Sequence, residues 1–211
     1  MSSTVQICNM ALSHIGAGPL ISAINPPDGS TEAGYCAAFY DQARIELLEG
    51  SNWDFALKRA DLASITNVST TWAYAYALPS DCLSAKRVLS VGAGVTVFNQ
   101  DQISRALMTD RRSAAFDIEG ATLFTNEPDA TLVYVTDVID TGRFTPGFSA
   151  ALSYLLAAYL AGPIVRGAEG ARLSNAMRSS AMSIADLAAT AAANASSAES
   201  SLSPSILAVR A

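Results

Sequence analysis

One histidine, three cysteines and two loose groups of carboxylates are the residues of this sequence whose types and spacing could do chemistry. His14 is the single histidine. That excludes metal sites built from two or more imidazoles and leaves little for histidine-based acid–base work. Cys8 precedes it by six positions, which fall on different faces of a helix, so a thiolate–imidazole pair within that helix is not expected. Cys8, Cys36 and Cys82 are odd in number and form no Cys-x-x-Cys pair. Buried free thiols of a reducing compartment are therefore expected, not a disulfide framework or a zinc site.

The carboxylates group as Asp28, Glu32, Asp41, Glu46 and Glu49, and separately as Glu119, Glu127, Asp129, Asp137 and Asp140. Glu46 and Glu49 share a helix face with Arg44 nearby, so solvated helix and turn charges are expected, not an acid–base pair. Gly16-Ala-Gly18 and Gly92-Ala-Gly94 lack the third glycine of a dinucleotide fingerprint, and neither leads from a strand into a helix. Asp54, Lys58, Arg59 and Asp61 read as a charged helix face with an Asp54–Lys58 pair at i,i+4. Arg111 and Arg112 could meet an acidic partner or a phosphate. Trp53, Phe55, Trp72, Tyr74 and Tyr76 read as core and interface material, not as a base-stacking platform. No catalytic, cofactor-binding or metal-binding constellation emerges, and an enzyme is not expected.

Charge and composition agree with that outcome. Thirteen Lys and Arg stand against 19 Asp and Glu, a net charge of -6 over 211 residues. An acidic chain is ill suited to gripping nucleic acid by neutralising phosphates. Half the residues are hydrophobic, 15% are charged and the mean hydropathy is +0.26, which excludes disorder throughout. The opening Met-Ser-Ser-Thr-Val-Gln has no basic region or apolar run, so no secretory signal is expected. The triplets at Asn67 and Asn194 are then chance matches to a glycosylation site. Residues 144–164 carry no charge and are long enough to span a bilayer. Thr145, Ser149 and Ser153 dilute the run and Gly162-Pro163 interrupts it, so a buried core helix is expected.

The elements that must position these residues fall into three parts. Val5, Cys8, Leu12 and Ile15 recur at helical spacing behind Ser2-Ser3-Thr4, which can cap the first amides. A second helix runs from about residue 31 to 49 with Cys36, Tyr40, Ala43 and Leu47 on one face, and a short third helix passes through Trp53, Leu57 and Ala60. From residue 72 to 141 the chain turns β-rich. Trp72, Tyr74 and Tyr76 alternate with alanine, hairpins are expected around residues 92–94 and 119–121, and 131–138 reads as a strand. Thr145 then caps a helix with Pro146 at its first position and Phe148, Leu152, Leu155 and Tyr159 as its stripe. After a break marked by Gly162-Pro163 and Gly167 a last helix carries Leu173, Met177, Ile184, Leu187 and Ala191, flanked by alanines that favour helix and close packing.

The serine-rich segment after Ala195 has linker composition, and it leads into Leu202, Ile206, Leu207, Val209 and Arg210. An apolar peptide on a leash is a candidate to dock on a partner. The expected fold class is α+β: residues 1–65 and 143–195 form a helical bundle, 66–142 a β-rich insertion, and 196–211 an extended C-terminal tail.

Several segments in register resemble one family. They are Cys8-Asn-Met-Ala-Leu-Ser-His-Ile-Gly-Ala-Gly18, Asp28-Gly-Ser-Thr-Glu-Ala33, Phe39-Tyr-Asp-Gln-Ala-Arg44, Asn52-Trp-Asp-Phe-Ala-Leu-Lys-Arg-Ala60, Tyr76-Ala-Leu-Pro-Ser-Asp-Cys82 and Glu127-Pro-Asp-Ala-Thr-Leu-Val-Tyr-Val135. Collinear over about residues 5 to 165, they resemble the head-to-tail adaptors of short-tailed bacteriophages, the tail tubular protein A family. The resemblance implies a virion structural protein, made in the host cytoplasm and placed in the tail or neck. It implies a closed ring of about twelve copies that binds the portal protein, holds the distal tail nozzle protein and extends the channel for DNA ejection. Double-stranded DNA would pass through the lumen without specific binding, for which an acidic wall is suited. No membrane and no cofactor are implied. The partner-facing residues would be Leu202, Ile206, Leu207, Val209 and Arg210 with Arg111 and Arg112. Another virion connector or stopper, or a small intracellular enzyme, remains the alternative at this stage.

Overall fold

The computed structural model describes residues 2–18, 20–89 and 113–201, the last ten of these as backbone only. The chain folds as two compact units: residues 1–55 with 138–211, and residues 56–137. The class is α+β, as the sequence predicts.

The helical unit is built around α3 (Pro146–Val165), onto which α1 (Thr4–His14), α2 (Thr31–Gly50) and α4 (Gly167–Ser201) pack. Each of the first three helices starts at a hydroxyl residue that satisfies an otherwise orphaned amide. Ser3 accepts from Gln6 N and the Gln6 side chain returns a bond to Ser3 N, Ser30 accepts from Ala33 N, and Thr145 accepts from Phe148 N. α3 is buried around most of its circumference, by Phe148, Leu152, Leu155, Leu156 and Leu160 together with its alanines. It is the one described helix long and apolar enough to cross a membrane, and its apolar surface is consumed by the three helices around it.

α3 and α4 form an antiparallel hairpin whose turn is made by Arg166 and Gly167, both at positive φ. Close approach explains the small residues between them. A Cβ on Gly170 would meet the Ala161 carbonyl oxygen at 2.8 Å, and one on Gly147 would meet the Ala188 Cβ at 2.7 Å. The face of α4 that seats on α3 is accordingly Gly170, Ala181, Ala185 and Ala188, and Ser174 Oγ donates to the Ala158 carbonyl at 2.7 Å.

This corrects the stripe expected from hydropathy. Leu173, Met177 and Ile184 flank the seam, and Leu187 is 70% exposed. Of the residues expected to mark the break, Gly167 lies in the turn and Gly162-Pro163 does not. Pro163 lies within the last turn of α3, where its missing N–H removes a single bond, and the helix continues to Val165. At the other end α4 does not stop at Ala195 but runs to Ser201, since alanine and serine without proline can sustain it. Residues 202–211 lie outside the described residues.

The second unit holds two antiparallel four-stranded sheets. Its strands are β1 (Leu57–Asp61), β2 (Ser64–Ile65), β3 (Tyr74–Ala77), β4 (Cys82–Leu89), β5 (Ser113–Ala114), β6 (Phe116–Glu119), β7 (Thr122–Thr125) and β8 (Thr131–Thr136). The orders are β1-β8-β4-β5 and β2-β3-β7-β6. Tyr76, Leu123, Leu132, Tyr134 and Val88 interlock as the core. The β6–β7 hairpin turns at Gly120, φ +59°, where the sequence places it. The hairpin expected around residues 92–94 lies outside the described residues.

Trp72 is not in the strand expected of it, because its carbonyl is taken by the Asn67 amide in a turn and β3 begins at Tyr74. The short third helix is a second correction. Only Asp54–Ala56 is helical, as one 3-10 turn, and Leu57–Asp61 is an edge strand paired with β8 from Leu57↔Val135 to Asp61↔Thr131. Five ladder positions override the helix preference of Leu, Lys, Arg and Ala. Hence the first unit gives way to the second at residues 55/56, against the 65/66 boundary read from the sequence, and the chain returns at 137/138 against 142/143.

Candidate functional site

In the helical unit the 3-10 turn and the start of α3 bring four aromatic rings together. Trp53 and Phe148 meet edge-on at 5.0 Å between centroids, Phe55 and Phe148 at 5.1 Å, and Phe144 and Phe148 at 4.6 Å. The Trp53 indole donates to the Leu47 carbonyl at 2.8 Å, so the ring is held as well as buried. Where these rings meet α4 a pocket of about 330 Å³ opens, walled by Trp53 and Phe55, bounded by Thr145 and floored by Gly147, Ala188 and Ala191. Exposed Asp54 stands beside it and forms no ion pair among the described residues. Chemically this is a recess for apolar side chains with one free carboxylate.

A shallower groove of about 660 Å³ runs along α1 past Gln6, Asn9, Met10, Ser13 and His14. His14 is stacked on Tyr154 at 3.9 Å, and its Nε2 lies 3.1 Å from Ser153 Oγ. Burial holds its pKa below the ordinary histidine value, which favours the neutral ring. Among the described residues its ring contacts are those of a packed side chain, to Tyr154 and Ser153. Asn9 bonds both ways with the Ile21 backbone, and Asp28 accepts from Ser22 and Ser30. The Ser22 amide is the main cause of the lowered Asp28 pKa. These residues of the resembling blocks therefore shape the α1–α2 connection.

Two other groups of charged residues tie elements of the helical unit together. Arg44 is 2% exposed, donates to the Val138 carbonyl at 3.0 Å and pairs with Asp41. Glu46 accepts from Tyr159 and Arg178, and the Arg178 guanidinium lies 5.3 Å from the Tyr159 ring centre, so α2, α3 and α4 are fastened at one point. Cys8 and Cys36 are buried against each other, and that contact raises the Cys8 thiol pKa and lowers that of Cys36. Cys82 is free and half-buried. Among the described residues no cluster of three His, Cys, Asp or Glu could hold a metal.

In the β unit the Asp54–Lys58 pair expected from helical spacing is replaced. Lys58 Nζ instead reaches Asp81 Oδ2 at 2.6 Å, because β1 is a strand. Asp81, the acid of the Leu-Pro-x-Asp segment, also accepts from Tyr134 at 2.9 Å and Thr136 at 3.1 Å. It thereby pins the β3–β4 turn to β8. The Lys58 ammonium, followed by the Tyr134 hydroxyl, holds its pKa at about 2.

A folded-state pKa below the unfolded value near ~3.9 stabilises the unit above about pH 4 and loses that effect as pH falls towards 2. Asp81→Asn should therefore flatten the loss of β-unit stability between about pH 4 and pH 2. Thermal melts followed by circular dichroism over that range would check this. A variant that retains the wild-type slope would place the acid sensitivity elsewhere.

Of the residues assigned to partner contact from the sequence, Arg111, Arg112, Leu202, Ile206, Leu207, Val209 and Arg210 all lie outside the described residues. The pocket at Trp53 and Phe55 was not legible as a site. The aromatic pair was visible in the sequence, but its small-residue floor comes from α3 and α4, more than ninety positions away. The chain matches no protein-family model and no curated protein.

Proposed function

We propose that this chain is a virion structural protein: a head-to-tail adaptor whose copies close into a ring between the portal and the distal tail and extend the channel for DNA exit. The observation that carries this reading is the overhang of α4. Gly147, at the start of α3, lies against Ala188, yet α4 continues to Ser201. That leaves about 20 Å of helix beyond the hairpin at 1.5 Å per residue. A helix of this length beyond the hairpin, followed in sequence by the apolar residues Ile206, Leu207 and Val209, is suited to holding a second protein. A protein that must hold a second protein needs such a projection.

The collinear resemblance over residues 5–165 names the kind of assembly. The two separate units supply the two unlike surfaces that a head-to-tail ring requires. The acidic balance suits a conduit that DNA must leave without sticking.

The test is the copy number of this chain relative to portal in gradient-purified virions, by quantitative mass spectrometry. A ratio near one is expected for a matched ring. Absence from particles would remove the adaptor reading.

A further inference from the structure

We infer that the pocket between the aromatic cluster and α4 is the docking site of the chain's own C-terminal peptide, with Leu207 and Val209 seated against Trp53 and Phe55 and Arg210 facing Asp54. This concerns the isolated chain and does not rest on the adaptor reading.

Length sets the first condition. Ala191 lines the pocket and α4 ends at Ser201, so the helix end stands about 15 Å beyond the pocket along the axis. The sequence then reads Leu202-Ser-Pro-Ser205. Pro204 cannot extend a helix and disfavours the helical conformation at Ser203, so the chain is released from the α4 direction there. At about 3.3 Å per extended residue, Leu207 reaches about 20 Å from Ser201 and Val209 about 26 Å. The peptide can thus return to the level of Ala188 and Ala191. The α1 groove at His14 is a poorer match. His14 stacks on Tyr154, and Tyr154 shares a surface recess with Ser183, about 27 Å of helix back from Ser201.

Shape and charge set the second condition. The recess is small, with aromatic walls and a floor of glycine and alanine, which admits aliphatic side chains and little else. The interlocked rings and the Gly147–Ala188 approach fix its form before anything enters, which lowers the ordering cost of docking. Asp54 is an exposed carboxylate without an ion pair among the described residues, and the peptide places its one cation, Arg210, directly after Val209. A neighbouring copy's peptide would satisfy the same chemistry, and the experiment separates the two.

The test uses the full chain with Cys82→Ala, so that only introduced thiols are accessible. One protein carries Asn52→Cys and Ala211→Cys, which flank Asp54 and Arg210 without removing either. The control carries Asp186→Cys and Ala211→Cys, at a similar height on α4 but turned away from Ala188. Both are treated with oxidised glutathione and resolved by non-reducing electrophoresis and intact mass.

A docked peptide has an effective concentration of order millimolar or more, so the 52–211 bridge should close within monomers at least about tenfold faster than 186–211. Adding Leu207→Asp should bring it down to the control rate. Equal rates for the two pairs, or no effect of Leu207→Asp, would overturn the proposal. Disulfide-linked dimers as the main product at low protein concentration would also overturn it, assigning the pocket to a neighbouring copy's peptide.

Discussion

Replacing Phe148 by alanine should cost the helical unit about 3–5 kcal/mol and lower its melting transition by roughly 10 °C. Phe148 has no exposed surface and is the hub of the aromatic cluster, edge-on to Trp53 and Phe55 and 4.6 Å from Phe144. Truncation removes the transfer free energy of the ring and leaves a cavity that its neighbours cannot fill. Trp53 is tethered through its indole nitrogen to Leu47, and the backbone of α3 is fixed by the close contact of Gly147 with Ala188.

The measurement is thermal unfolding by circular dichroism at the helix wavelength, with Leu187→Ala as the reference. Leu187 is as apolar as many core residues but 70% exposed, so its loss should stay within about 0.5 kcal/mol. A Phe148→Ala loss as small as that of Leu187→Ala would mean that the cluster does not hold the unit together. Because the chain has two units, the helical and β transitions are to be followed separately.

The contrast between Phe148 and Leu187 also marks what the sequence discloses. Hydropathy with helical spacing located α1, α2 and α3, and the hydroxyls of Ser2-Ser3-Thr4 and Thr145 located the starts of α1 and α3, because caps and apolar stripes are local signals. On α4 the same rule placed Leu173, Met177 and Ile184 at half-buried positions but assigned Leu187, which is exposed, to the packed face. There the seam is made of Gly170, Ala181, Ala185 and Ala188, whose value is their small size, and size complementarity is a property of two helices. β1 failed for a related reason. Leu57-Lys-Arg-Ala-Asp61 carries helix-forming residues, and only the ladder with β8, more than seventy positions later, makes it a strand.

The β6–β7 hairpin and β8 were legible because a turn glycine and a run of β-branched and aromatic residues need no partner to be recognised. In the β unit the Leu-Pro-x-Asp turn was visible, but its tie to Lys58, Tyr134 and Thr136 was not. At the pocket, Trp53 and Phe55 could be read as core or interface material. That they form a recess beside a free carboxylate follows from where α4 crosses them.

If the chain is the proposed adaptor, deleting residues 202–211 should remove it from assembled particles while both melting transitions persist, the helical one lowered only by the loss of the docked peptide. The deletion begins after the last residue of α4 and keeps every buried residue of the two described cores. It removes Leu202, Ile206, Leu207, Val209 and Arg210, the apolar peptide that follows α4 in the sequence. A short peptide that docks on a surface gives up chain entropy in doing so, so its net contribution to the stability of the folded units is small beside its contribution to attachment. Quantitative mass spectrometry of gradient-purified virions made with the truncated chain, beside melts of the purified protein, reads both halves. Full incorporation of the truncated chain would move the partner contact to the body of the protein.

Under the two proposals taken together, the side chains that would fit the Trp53–Phe55 recess are the ones a partner would take, so the two contacts would exclude one another. A chain with its peptide stowed presents no apolar end before its partner is at hand. A partner must then bind the peptide more tightly than the pocket does. Leu207→Asp should consequently release the peptide from the pocket and, in the same step, weaken attachment to the particle.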